Sequence, residues 1–292
     1  MAPGALLKLL RPHQWVKNLF VAAPLVFARH LVDWELALRS GLAVLAFCAL
    51  SGAVYAFNDM RDAEADRVHP TKRHRPIAAG KISERTALIT SILLAVGALA
   101  GSALLHWKVA AFAGAYLLQN ILYSIKLKQI AFLDVALIAS GFILRVLAGA
   151  AAIGVAASGW LLLCTALLAL MLGLGKRAHE LAWAERSGQA ATTRAALAGY
   201  RLGVVRRTLL VLAVATVAAF VAYTLDAHTR RFFETDYLVV SAPFVAIGVA
   251  RYLTLALWRP KDESPTEAML RDPLFLIVLA AAGVTILYLI YS

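Results

Sequence analysis

The chain has 292 residues, of which 61% are hydrophobic and only 16% charged, and its mean hydropathy is +0.74. Soluble domains carry about a quarter charged residues, so the composition excludes an ordinary soluble enzyme and predicts a polytopic helical membrane protein. The net charge of +12 is tied to short loops between apolar runs and not to one soluble stripe, which argues against nucleic-acid binding; topology determination and attraction to anionic head groups account for most of it, and a pocket for a polyanionic substrate is the functional alternative.

The charges are bunched, leaving apolar runs long enough to cross a bilayer core. Nine spans are predicted, at about 14–31, 36–57, 84–105, 108–127, 131–154, 159–178, 203–225, 236–257 and 272–291. The expected fold is therefore all-α: one transmembrane domain over residues 1–292, with no repeat, low-complexity segment or soluble domain. No cleavable signal peptide is expected, because Met1 to Leu10 is short and a basic segment precedes the first apolar run. Cys48 and Cys164 lie inside apolar runs and read as small core residues, not a disulfide.

The entry segment Arg11-Pro12-His13-Gln14-Trp15-Val16-Lys17-Asn18 leads into span one. It reads either as an aromatic and basic membrane anchor or, through Lys17 and Asn18 at the helix mouth, as a phosphate contact. The stretch after span two carries the most chemistry. Asp59, Asp62, Glu64 and Asp66 lie within eight residues, and the basic run Lys72-Arg73-His74-Arg75 follows, ending at Pro76. If the helix continues past Phe57, Asn58, Asp62 and Asp66 fall four apart on one face, with Asp59 beside them. Carboxylates gathered in this way repel unless a cation lies between them, and all-oxygen donors suit Mg²⁺; the alternative is a solvated charged loop. His69 and His74 flank the basic run without zinc-ligand spacing and read as phosphate neighbours or solvated side chains.

Span four ends in Tyr116, Gln119, Asn120, Tyr123, Ser124, Lys126 and Lys128. Tyr116, Asn120 and Tyr123 share a face, while Gln119 and Asn120 also suit polar helix packing. Span five carries Asp134 and Arg145, roughly 16 Å apart along the axis and too distant to pair with each other. Charges at that depth either line a polar cavity or are neutralised from another helix. Span six ends Gly175-Lys176-Arg177-Ala178-His179-Glu180, with Lys176 and Glu180 four apart, a spacing that also fits a surface salt bridge.

Of the 29 Lys and Arg residues, 22 fall on the face that holds the N-terminus and the acidic stretch, 5 on the other, and Arg145 and Arg251 within spans. The positive-inside rule makes the first face cytoplasmic and, with nine spans, puts the C-terminus outside the bacterial plasma membrane. Acids and bases from four or five helices are thus expected at one cytoplasmic mouth. There, acids hold Mg²⁺, cations take up charge on a departing diphosphate, and apolar walls hold a lipid.

These residues resemble the UbiA superfamily of intramembrane prenyltransferases. Its N-D-x-x-D-x-x-x-D motif is matched by Asn58, Asp59, Asp62 and Asp66, and its Tyr/Lys element by Tyr123 and Lys128. Its second aspartate motif is replaced by Lys176-Arg177-Ala178-His179-Glu180, with Glu185 further on. Together with R-P-x-Q-W-V-K-N at 11–18, the long 58–80 block and G-K-R-x-x-E-L at 175–181, this is closer to the branch that transfers phosphoribosyl to decaprenyl phosphate.

The resemblance implies phosphoribosyl pyrophosphate as donor, a polyprenyl phosphate as acceptor, and Mg²⁺ on Asn58, Asp62 and Asp66 with Asp59 as a further ligand. It implies phosphate contacts from Lys17, Asn18, Tyr123, Lys128, Lys176 and Arg177. Arg67, Lys72, Arg73 and Arg75 would belong to the donor site, and Asp134, Arg145 and Glu180 would complete the substrate-binding set. The implied product is polyprenyl-phosphoryl-β-ribose 5-phosphate, a precursor for cell-envelope arabinan. A homo-oligomer is left open. An aromatic prenyltransferase using a polyprenyl diphosphate, and a lipid or solute carrier without chemistry, are the alternatives.

Overall fold

The computed structural model describes residues 3–68, 72–187, 197, 199–257 and 265–292, so His69 of the basic stretch lies outside the described residues. Regular structure among them is entirely helical, as a chain in hydrocarbon requires, because each backbone N–H and C=O has to be satisfied within its own segment. In order, the helices are α1 (Pro3–Leu10), α2 (Ala23–Phe27), α3 (Trp34–Arg61), α4 (Ala63–Val68), α5 (Glu84–Leu105), α6 (Trp107–Ile125) and α7 (Leu133–Ala152). Then follow α8 (Gly159–Ser187), α9 (Leu202–Leu225), α10 (Ala227–Phe233), α11 (Ala242–Leu257), α12 (Pro265–Leu270) and α13 (Pro273–Tyr291).

Polar residues at the ends of apolar runs start the long helices. The side chains of Asp33, Ser83 and Asp272 accept from the backbone N–H groups of Leu36, Thr86 and Phe275 at 3.1, 3.1 and 2.9 Å, capping α3, α5 and α13.

Seven segments among the described residues are long and apolar enough to cross a membrane: α3, α5, α7, α8, α9, α13, and Tyr237–Leu257, which joins a 3₁₀ turn to α11. The other two expected spans differ. The stretch predicted at 108–127 is one continuous helix, α6, but Lys108, Gln119 and Asn120 interrupt its apolar character. The stretch predicted at 14–31 is not a single α-helix: a 3₁₀ helix, Pro12–Val21, is followed by the short α2. Pro12 and Pro24 supply no N–H there, and Arg11 enters with a left-handed backbone (φ 51°, ψ 62°). Large apolar side chains such as Leu93, Val96, Leu104, Val211, Val214, Ile277 and Val284 face outward on the long helices, which marks an integral membrane protein.

The chain divides into two compact units: Met1–Lys126 with Gly141–Ala157, and Leu127–Ser140 with Ser158–Ser292. The first is packed around Val21, Phe47, Leu50, Val109, Tyr116 and Ala148, with a smaller cluster of Leu9, Ala56, Ala63, Ile77, Ile82 and Ala87. The second is packed around Val135, Met171, Leu174, Val205, Leu209 and Tyr252. Close approach in each depends on a glycine. A Cβ on Gly149 would lie 1.8 Å from the Val21 carbonyl oxygen, and one on Gly175 would lie 2.1 Å from the Tyr252 hydroxyl. α7 therefore lies directly on the 3₁₀ segment, and α8 on α11.

Candidate active site

In the first unit α3 runs past Phe57 to Arg61, turns at Asp62, and continues as α4. The helical register survives the turn: Asp62 N donates to Asn58 O at 3.0 Å and Asp66 N to Asp62 O at 2.8 Å. Asn58, Asp62 and Asp66 therefore occupy successive turns, as their spacing predicts. The side chains divide into two kinds. Asp59 and Asp66 are buried, 2% and 4% exposed, and both are met by arginine. Arg75 Nη1 lies 3.2 Å from Asp59 Oδ1 and 2.6 Å from Asp66 Oδ2, and Arg11 Nη2 donates to the same Asp59 oxygen at 2.6 Å. Asn58 and Asp62 are half-buried. The Asn58 Oδ1 atom is buried without a hydrogen-bond partner among the described residues, a costly condition for a carbonyl oxygen.

The turn that follows explains how Arg75 reaches inward while its neighbours do not. Pro76 and Ile77 are buried, Ile77 and Ile82 join the small core cluster, and Gly80 takes a left-handed backbone (φ 70°) to close the turn. Lys81 N and Ile82 N both donate to Pro76 O. With Pro76 anchored, Arg75 faces Asp59 and Asp66, while Lys72, Arg73 and His74 stay exposed in a 3₁₀ turn. Arg67 is exposed and pairs with Glu84 at 3.3 Å.

Asn18 was expected at the helix mouth, and the structure buries it completely. The 3₁₀ pitch turns it inward, where Nδ2 donates to Cys48 Sγ at 3.3 Å and Oδ1 accepts from Ser51 Oγ at 3.2 Å and from Arg145 Nε at 2.8 Å. Arg145, 6% exposed, also donates to Gly141 O and the Tyr116 hydroxyl at 2.9 Å each, and its guanidinium lies over the Tyr116 ring at 4.6 Å. No carboxylate pairs with Arg145 among the described residues; neutral oxygens and ring faces hold the charge. Lys17 donates to Gln14 at 2.6 Å. Asn120 donates to Tyr116 O of its own helix at 2.8 Å, and Tyr123 is half-buried near the end of α6.

In the second unit Asp134 and Arg177, both 0% exposed, form an ion pair with Nε 2.7 Å from Oδ2. Arg177 also pairs with Glu180 one turn on. Tyr200 donates its hydroxyl proton to Asp134 Oδ1 at 2.6 Å and accepts from the Phe132 backbone N–H at 2.7 Å. Burial, with the Asp134 carboxylate beside it, holds the Tyr200 phenol above its ordinary range. Asp134, Arg177 and Glu180 are thus brought together, with Asp134 neutralised from another helix. Lys128, in the turn Leu127–Gln129, and Lys176 are half-buried.

The entry motif contains Arg11, but nothing in its spacing marked it as the partner of Asp59. Tyr200 carries no local signal, because its place follows only from the packing of α7 against the chain leading into α9. Cys48 and Cys164 are free thiols, as their positions in apolar runs predicted.

No three His, Cys, Asp or Glu side chains among the described residues converge as a metal-binding group. The donors that fit Mg²⁺ are the orphaned Asn58 oxygen and the Asp62 carboxylate one turn on, with Asp66 where Arg75 yields to the ion. Mg²⁺ accepts such a small protein set because it completes its shell with water and phosphate oxygens.

Known proteins resemble this chain in sequence and in fold. A decaprenyl-phosphate phosphoribosyltransferase of Mycolicibacterium smegmatis is 36% identical over 264 residues, which is 85% of this chain and 81% of its own length. One from Corynebacterium glutamicum is 35% identical over 288 residues, covering 96% and 84%. A UbiA homolog from Archaeoglobus fulgidus, solved with GPP and Mg2+, shares the fold with a TM-score of 0.71 at 19% identity, over 98% of this chain and 99% of that one. The UbiA prenyltransferase family matches residues 19–279, the acidic stretch and most of both units included. The helical fold, the N-D-x-x-D-x-x-x-D turn at the end of α3 and this match together make the chain a member of the UbiA prenyltransferase family.

Proposed function

We propose that this protein transfers 5-phosphoribosyl from phosphoribosyl pyrophosphate to a polyprenyl phosphate, with Mg²⁺, and releases diphosphate. The curated relatives that it matches over more than four-fifths of their length are decaprenyl-phosphate phosphoribosyltransferases, and the chain is an enzyme of that pentosyl-transferring type. The observation that carries the metal part of the reading is the Asn58–Asp62–Asp66 ladder with its orphaned Asn58 oxygen. We read residues 1–292 as one functional UbiA-like domain with nine spans, the N-terminus and acidic stretch on the cytoplasmic side and the C-terminus outside.

Asn58, Asp62 and Asp66 would hold Mg²⁺, which when bound neutralises charge on the departing diphosphate. Arg11 and Arg75 place guanidinium groups beside the same helix turn, suited to phosphate oxygens. The bond from C1 of the ribose to diphosphate oxygen breaks, and a bond from C1 to the lipid phosphate oxygen forms on the opposite face, which gives the β product. The acceptor phosphate is already an anion at neutral pH, so no side chain has to remove a proton. Lys17, Lys72, Arg73, Tyr123, Lys128 and Lys176 remain proposed phosphate contacts. Asn18, Asp134, Arg145 and Arg177 serve as buried polar groups that hold their helices in place, with the half-buried Glu180 paired to Arg177. The lipid product suits a cell-envelope arabinan pathway.

The test is diphosphate release by purified protein given Mg²⁺, phosphoribosyl pyrophosphate and polyprenyl phosphate. Release that Asp62→Ala abolishes is the expected result. No release, or equal release by Asp62→Ala, overturns the reading. Thermal protection by a prenyl diphosphate but not by phosphoribosyl pyrophosphate would instead favour an aromatic prenyltransferase.

A further inference from the structure

Asp59 stands in the middle of a metal-binding motif, but its surroundings suit a different task. It is 2% exposed, and one of its oxygens, Oδ1, receives both Arg11 Nη2 and Arg75 Nη1. Asp66 Oδ2 takes Arg75 as well. Two carboxylates and two guanidiniums make a neutral foursome, so Asp59 has no spare negative charge to offer a divalent ion. A metal ligand at Asp59 would also have to displace two arginines at once, against one at Asp66.

The arginines, in contrast, have donors to spare. Each guanidinium carries five N–H groups, and the contacts described use one nitrogen of each. Their side chains are 22% and 24% exposed, so neither is sealed from solvent, while one nitrogen of each is fixed on a carboxylate. Arg11 is held further by the Tyr55 ring, 5.1 Å from its guanidinium. Its backbone lies in the left-handed region at φ 51° immediately before Pro12, a conformation that costs about 1–3 kcal/mol and persists where surrounding contacts over-determine it. Strain at the residue that reaches Asp59 indicates that the placement of this guanidinium is selected.

We infer that Asp59 is a positioning residue and not a metal ligand: it holds Arg11 and Arg75 as a preoriented pair for the diphosphate of the donor, leaving Asn58 and Asp62, with Asp66 where Arg75 yields to the ion, as the metal side of the same stretch. This rests on the proposed phosphoribosyl transfer, but concerns which residues of the motif do which part of the binding. Paired guanidiniums fixed by one buried carboxylate offer their remaining N–H groups to a polyanion with little entropy left to lose.

The experiment uses the full-length protein in detergent, with inorganic diphosphate as the probe and the melting temperature as the readout. Diphosphate is titrated at saturating Mg²⁺, and Mg²⁺ at saturating diphosphate, for wild type, Asp59→Asn and Asp62→Asn. Asp59→Asn is expected to weaken the diphosphate midpoint about tenfold, the loss of one charged hydrogen-bonding partner, and to leave the Mg²⁺ midpoint within about twofold. Asp62→Asn is expected to do the reverse, moving the Mg²⁺ midpoint on the order of tenfold. The combination of Asp59→Asn with Arg11→Gln should cost less than the sum of the two, because both break one contact.

A shift in the Mg²⁺ midpoint by Asp59→Asn equal to that by Asp62→Asn would overturn the inference, as would an unchanged diphosphate midpoint. If Asp59→Asn does not fold, Arg11→Gln and Arg75→Gln carry the same test: each should weaken diphosphate and neither should weaken Mg²⁺. A wild-type protein whose melting temperature ignores Mg²⁺ and diphosphate together would sink the proposed function itself, a result distinct from a misassigned Asp59.

Discussion

Replacing Arg177 with methionine tests whether the arginine that stands in the second motif position serves the substrate or the fold. Its side chain and that of Asp134 are both 0% exposed, with Nε 2.7 Å from Oδ2. Removing the guanidinium leaves the Asp134 carboxylate buried with only neutral donors described, the Tyr200 hydroxyl and the Val135 backbone N–H, both on Oδ1. Glu180, at 29% side-chain exposure, can rehydrate; Asp134 cannot. An uncompensated buried charge of this kind costs about 3–5 kcal/mol. At about 2–4 °C per kcal/mol for chains of this order, the melting temperature should fall by roughly 10 °C. The double variant Arg177→Met with Asp134→Asn removes both charges and should regain most of the loss, since replacing a whole buried pair is often close to neutral. The assay is thermal unfolding in detergent, followed by the fluorescence of the six tryptophans, with steady-state kinetics in parallel. If Arg177→Met melts like wild type and only raises KM for phosphoribosyl pyrophosphate, the reasoning is refuted and Arg177 reads a phosphate instead.

Gly149→Ala puts a Cβ 1.8 Å from the backbone oxygen of Val21, which has no flexible end to move aside; it should cost about 3 kcal/mol in the same melting assay. Gly97→Ala meets nothing within 4 Å and should instead be stabilising by about 0.5–1 kcal/mol. Equal melting temperatures for the two variants would contradict the packing of α7 on the 3₁₀ segment. The cap of α10 should be acid-sensitive. The backbone N–H of Thr229, joined by the Thr229 hydroxyl and the His228 N–H, holds the Asp226 carboxyl below its usual range. Its stabilisation is therefore full above the unfolded value of about 3.9 and is lost as pH falls through the depressed folded value. Hydrogen exchange at the His228 and Thr229 amides should accelerate in that window relative to base-catalysed reference rates, and Asp226→Asn should flatten the response.

Much of the site was readable from spacing because it lies on one continuous helix. The four-residue intervals from Asn58 to Asp66 became backbone hydrogen bonds through the turn at Asp62, and the apolar runs became α3, α5, α7, α9 and α13 close to their predicted limits, while α8 runs on past residue 178 to Ser187. The partners of those residues were not readable. Arg11 and Asp59 are 48 positions apart, Asn18 and Arg145 are 127, and Asp134 and Tyr200 are 66. The first segment misled for a local reason, since its apolar content suits a span while its prolines and the left-handed Arg11 do not permit a single α-helix. Asp134 and Arg145 were recognised as out of place in hydrocarbon, but whether each met a countercharge or neutral oxygens depended on which helix lay opposite.

From its amino-acid order alone, this chain is a helical membrane protein with an acidic turn after its second apolar run, because hydropathy and helical periodicity are local properties of a few consecutive residues. Tertiary structure decided how that acidic turn is divided. It brought Arg11 and Arg75 onto Asp59 and Asp66, left the Asn58 oxygen without a hydrogen-bond partner among the described residues, and enclosed Arg177 with Asp134. Which charges meet depends on the crossing and axial register of helices distant in sequence, and the desolvation that makes each meeting obligatory exists only once those helices have packed.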